Sequence, residues 1–148
     1  MTEKNQTTDT VALLQQCCSG CTMATESLEQ IKAHVDDPTL REVILRYNKE
    51  HIELGAEIHK MLNETGEAAK EPGTIAKAFS WMQSEMKLSV NEGNNKVASL
   101  LIDGCNMGIK TLTETKNECK GANDQSTALC EKLISLEKKM IEELEAYL

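Results

Sequence analysis

Five residues carry the donor groups from which one centre could be built: Cys21, Glu50, His51, Cys105 and Glu137. Two thiols, an imidazole and two carboxylates are transition-metal ligands, and the set suits zinc, iron or copper. Thiolates favour soft or borderline ions such as Zn(II) and Cu(I), and a zinc centre built from them is tetrahedral. Cys17 stands one helical turn from Cys21, and Met23, Met107 and Met140 add thioethers. "CCSGC" is not a zinc-ribbon spacing, and no second matching cysteine cluster accompanies it.

Each of these residues also has a plainer reading. Reduced cysteine is a small hydrophobe that fits tight packing. A lone histidine on an apolar stripe usually satisfies its ring nitrogens with a neighbour, and Glu137 is the candidate here. Glu50 and Glu53 flank the stripe and can form its solvated shoulder, while Glu57 and His59 face solvent. A third reading is a thiol-based redox sensor. Reactive thiols need a nearby cation or helix N-terminus, and no basic residue lies on the cysteine stripe. No catalytic residue is assigned.

The elements that must position these groups are helices. Apolar and small residues recur at helical spacing from Thr10 to Val35: Leu14, Cys17, Cys21, Ala24, Leu28, Ile31 and Val35. "DDP" at 36–38 stops this helix and starts the next, with Asp37 as N-cap and Pro38 in the first helical position. Leu40, Val43, Tyr47, His51, Leu54, Ile58 and Met61 continue to a stop near Gly66. Val97, Leu101, Gly104, Gly108 and Leu112 mark a later helix. Leu129, Leu133, Leu136, Met140, Leu144 and Tyr147 mark the last, capped by Asp124 or Ser126. Residues 66–94 form a long crossover, with a shorter fifth helix carrying Ile75, Phe79, Met82 and Met86. Residues 1–9 are expected to be a flexible tail.

One phrase is written twice: "SGCTMATESL" at 19–28 and "DGCNMGIKTL" at 103–112. Each copy sits on the first helix of a helical hairpin, so the chain reads as two similar hairpins related by an approximate two-fold axis. Gly20 and Ala24, like Gly104 and Gly108, share a helix face. Those faces are expected to let the two helices cross closely. Cys21 and His51 lie equally far from the turn at Asp36, and Cys105 and Glu137 lie about as far from a turn near Ala122. All five candidate ligands therefore fall within about one turn of mid-bundle height, where helix bundles place metal sites.

Two hairpins joined by a long crossover resemble the ferritin-like superfamily. Within it the chain resembles uncharacterised bacterial four-helix bundles through "DDPTLREVI", "LNETGEAAKEPG", "FSWMQSEMKL" and "DGCNMGIKTL". The resemblance implies an all-α, ferritin-like four-helix bundle. Its di-iron members use two lone Glu residues and two Glu-x-x-His motifs. Here Glu50 and Glu137 are followed three residues later by Glu53 and Met140, no Glu-x-x-His occurs, and Cys21 and Cys105 take the places of the lone Glu residues. The standard di-iron centre is absent as written, so ferroxidase or oxygenase chemistry does not carry over.

Composition sets the remaining bounds. The chain has 148 residues, few aromatics, two Pro and a formal net charge of −8. It is long enough for one domain with a real core, and too acidic to neutralise nucleic-acid phosphates or seek an anionic membrane. No apolar run reaches the ~18 residues of a membrane span, and the polar start has no secretory h-region. A single cytoplasmic domain with reduced thiols follows. Trp81, off the Phe79/Met82/Met86 stripe, suggests a covered apolar surface and so a homodimer. The expectation is a non-catalytic binding or structural module, with a mid-bundle metalloprotein or a thiol redox sensor as alternatives.

Overall fold

Asp37 performs two tasks at one end of the molecule. Its carboxylate accepts from the backbone N–H groups of Thr39 (2.9 Å) and Leu40 (3.1 Å), which caps the helix starting at Pro38. Its other oxygen accepts from the Asn94 side chain at 3.1 Å, so the helix beginning at Asn94 starts beside the turn between the first two helices. The computed structural model describes residues 3–69 and 93–148. They form α1 (Glu3–Lys32), α2 (Pro38–Glu64), α3 (Asn94–Glu118) and α4 (Asp124–Leu144), with a closing 3-10 turn at Glu145–Tyr147.

The stop signals act through backbone geometry. Gly66 follows α2 with φ of 84°, a left-handed conformation that favours glycine, and its N–H donates to Asn63 O at 3.0 Å. The N-cap of α4 is Asn123, in place of the Asp124 or Ser126 expected: its side chain accepts from Ser126 N at 2.8 Å.

The other end of the bundle is tied by α1. Asp9 accepts from Gly121 N at 2.7 Å, and Thr10 Oγ1 accepts from Asn123 N at 2.9 Å. The α3–α4 turn therefore sits beside the start of α1, while the α1–α2 turn sits beside the start of α3. Helices α1 and α4 run one way, and α2 and α3 run the other. The chain is an all-α four-helix bundle of two antiparallel hairpins, and residues 65–93 join opposite ends of it. Helix α1 starts at Glu3. The segment read as a flexible tail is helical from there, and its Asp9, with the adjoining Thr10, holds the far turn.

The fifth helix falls largely on residues 70–92, which lie outside the described residues, as do Phe79, Trp81, Met82 and Met86 on which the dimer expectation rests. Among the described residues there is no strand, and no helix is long and apolar enough to cross a membrane.

The core is divided. Leu28, Ile31, Leu40, Ile44, Leu101 and Leu144 pack at the Asp37 end. Leu13, Leu14, Ile58, Leu62, Leu112 and Leu133 pack at the other. A polar layer, His51 with Glu137, lies at mid-bundle height. Among the described residues the predicted stripes are the buried faces, save that Met61, Leu136 and Tyr147 are half-buried and the small residues at 24, 104 and 108 are only partly covered.

Candidate functional site

His51 of α2 is fully buried, and both of its ring nitrogens meet acceptors. Nδ1 lies 2.7 Å from the carbonyl oxygen of Tyr47 one turn earlier, and Nε2 hydrogen-bonds Glu137 Oε1 on α4. A carbonyl only accepts, so Nδ1 carries a hydrogen. The Nε2–Glu137 contact then holds one further proton, and the pair as a whole is uncharged. Burial pulls the His51 pKa down. The hydrogen bond and charge of Glu137, helped by the Tyr47 carbonyl, outweigh that and leave it raised above 6.5.

The two repeat cysteines flank this pair. Burial, followed by the nearby Glu137 carboxylate, pushes the Cys105 thiol of α3 well up. Cys21 of α1 is pushed up to about 12, first by burial and then by Glu137 and Cys18. Both are neutral thiols in the resting protein. Four of the five predicted residues, Cys21, His51, Cys105 and Glu137, are thus buried together at mid-bundle. Glu50 is not among them: it is exposed on the outer face of α2, beside Glu53 and Lys139. The helical period explains this, since His51 points inward and its neighbour must point away. Among the described residues no three His, Cys, Asp or Glu side chains are arranged as a metal-holding group.

The repeated small residues act differently from the expected close crossing. A Cβ added at Gly20 would meet Leu133 Cδ2 at 3.8 Å and Leu112 Cδ2 at 4.0 Å. One at Gly108 would meet Glu137 Oε2 at 3.8 Å. These are ordinary contacts with side chains, not with an opposing backbone. Gly20, Ala24, Gly104 and Gly108 instead line a cavity of about 50 Å³ between α1 and α3, which reaches His51 and Glu137. Met23 and Met140 border it too, whereas Met107 is exposed. Ser27, also on its wall, donates to Met23 O at 2.7 Å and so keeps oxygen lone pairs as acceptors.

The close approach lies elsewhere, at Gly55 of α2 against Cys21 of α1. The sequence reading also passed over Cys130, fully buried on α4, whose thiol donates to Leu112 O at 3.8 Å. Its position beside Leu129 on the last apolar stripe was the available signal. Compared with known proteins, the chain matches no family model, no curated protein and no solved structure.

Proposed function

We propose that the chain is a non-catalytic binding module of ferritin-like form whose α1–α3 cavity takes a small, uncharged, largely apolar molecule. The observation that carries this reading is the cavity itself, opened by four small residues and ending on a histidine–glutamate pair of no net charge. Glycine inside a helix costs up to ~1 kcal/mol relative to alanine. Three of them facing one space support a role for that space. Its volume of about 50 Å³ is well below the ~150 Å³ of an engineered cavity that takes benzene. The ligand therefore has only a few heavy atoms. The neutral pair repels neither sign of charge but solvates neither, so an ion would enter without compensation. Ser27 Oγ supplies an acceptor for one ligand donor. The ferritin-like reading is supported by the connection that joins opposite ends of two antiparallel hairpins.

Nuclear magnetic resonance with xenon and short-chain alcohols tests this. Shifts centred on Gly20, Gly104 and Gly108, lost in an Ala24→Leu variant that fills the cavity, are expected. No saturable shifts, or shifts that persist in Ala24→Leu, overturn the reading.

A transition metal at the same level is the second reading, favoured by Cys21, Cys105, His51 and Glu137 standing at one height. It would have to displace the proton held between His51 and Glu137. Metal analysis of protein purified without tag or chelator separates the two. Near-stoichiometric zinc, iron or copper that the Cys21→Ser/Cys105→Ser variant loses overturns the first.

A further inference from the structure

The polar groups of the α1–α3 cavity are unevenly matched. Glu137 is only 7% exposed, and its two oxygens have different tasks. Oε1 bonds His51 Nε2, and the proton shared in that contact stays on the Oε1 side. Oε2 is turned towards α3: a methyl group added at Gly108 would stand 3.8 Å from it. Gly108 and Glu137 both line the cavity, so Oε2 brings its lone pairs to the wall. Donors are scarce beside it. The backbone N–H groups of α1 and α3 along the cavity are spent within the helices. Both His51 nitrogens already meet acceptors, and the Ser27 hydroxyl hydrogen goes to Met23 O. Among the described lining residues, the buried Cys105 thiol is the remaining side chain with a hydrogen to give, and it is a weak donor. The rest of the wall is apolar, with Leu28, Leu101, Leu112 and Leu133 its largest members beside two methionines.

Resting on the reading of this cavity as a ligand site, we infer that its ligand class is the short-chain primary alcohol, seated with its hydroxyl on Glu137 Oε2 and its alkyl group among the leucines. An alcohol matches the wall on each count. Its O–H donates to Oε2, and a hydrogen bond to a carboxylate oxygen is stronger than one between neutral groups. Its oxygen can in turn accept from the Cys105 S–H. Its alkyl group fills the apolar remainder. A ketone, nitrile or ether of the same size has no hydrogen to offer, and its lone pairs would face those of Oε2. A site that hydrogen-bonds a hydroxyl rejects the analogue lacking it, because its own buried polar group is then left unpaired. An ammonium group is also a donor, but the His51–Glu137 pair has no net charge with which to offset it. A hydroxyl donates without bringing a charge into the core.

The test is a magnetic-resonance titration of the whole protein with xenon, ethanol and acetonitrile, the last two matched in heavy atoms. Xenon reports the cavity alone, through saturable shifts at Gly20, Gly104 and Gly108. Ethanol is expected to bind at the same glycines about tenfold or more tighter than acetonitrile, the worth of one hydrogen bond to a charged group. Xenon shifts accompanied by equal or weaker affinity for ethanol overturn the alcohol assignment and leave the cavity as a binding site. No saturable shift with any of the three overturns both. The His51→Leu/Glu137→Leu variant should keep xenon and lose the preference for ethanol. A preference that survives there places the hydroxyl on another group, such as Ser27, and overturns the assignment to Glu137. Circular dichroism checks that the variant is helical. Should it unfold or lose xenon, the comparison of ethanol with acetonitrile on the parent protein decides alone.

Discussion

Gly55 of α2 lies directly against Cys21 of α1: a methyl group added at Gly55 would stand 3.2 Å from Cys21 Cβ and 3.7 Å from its Sγ. The nearer atom is fixed to the α1 backbone and cannot swing away, so the helices would have to part. Gly55→Ala is expected to destabilise by ~1–3 kcal/mol through overpacking, despite the better helix propensity of alanine. Gly20→Ala meets only ordinary contacts and should be neutral or stabilising by up to ~1 kcal/mol. Urea midpoints that rank the two variants in the opposite order would refute this packing.

The His51–Glu137 pair predicts a non-additive double-mutant cycle. Glu137→Leu leaves a buried imidazole without its partner and should cost ~3–5 kcal/mol. His51→Leu strands a buried carboxylate and should cost a similar amount. The double variant removes both polar groups and should recover much of the loss, because replacing a buried pair by apolar side chains is often near neutral. Equal and additive losses in urea unfolding would show that the two side chains act independently.

A pH dependence of known sign follows from the same pair. The folded pKa of His51 is raised above its ordinary 6.5, so the folded state binds its proton more tightly than the unfolded chain. That contribution is fully present below about pH 6.5 and is lost as pH rises through the raised value. The urea midpoint of the parent protein should therefore fall from mildly acidic to alkaline pH, relative to the His51→Leu/Glu137→Leu variant. A parallel pair of curves would contradict the assignment of the proton.

At the bundle end, Thr10 Oγ1 is the acceptor for the Asn123 N–H. Thr10→Val keeps the shape and removes the acceptor, at a cost of ~1–3 kcal/mol for a partly buried donor left unmade. Amide exchange should quicken at Asn123 and Gly121. Unchanged exchange at both positions would mean that the first turns of α1 do not hold the far turn.

What was legible in the sequence was whatever depends on period and distance along a helix. Asp37 and Pro38 marked a cap because their types match the geometry of a helix start. Counting outward from the two turns placed Cys21, His51, Cys105 and Glu137 at one level, and named Glu137 as a partner for His51. The same counting misplaced Glu50, because height along a helix says nothing of direction around it. The glycines misled for a related reason: a missing side chain permits either close backbones or an open space, and only the neighbours decide. Leu112, Leu133 and Glu137 hold the space open at Gly20 and Gly108, while Gly55, outside the repeat, takes the close contact. Helix α1 runs on to Glu3 because Asp9 and Thr10 find acceptor roles on a turn more than a hundred residues away, which local propensity does not encode.

The centre of an otherwise repeated scaffold is uneven. The second helix of the first hairpin presents an imidazole at mid-height, and that of the second hairpin presents a carboxylate. A pairing of two first hairpins would set imidazole against imidazole, and a pairing of two second hairpins would set carboxylate against carboxylate. Only the mixed pairing neutralises itself in a dry interior. The polar layer thus favours the mixed pairing of hairpins over either self-pairing.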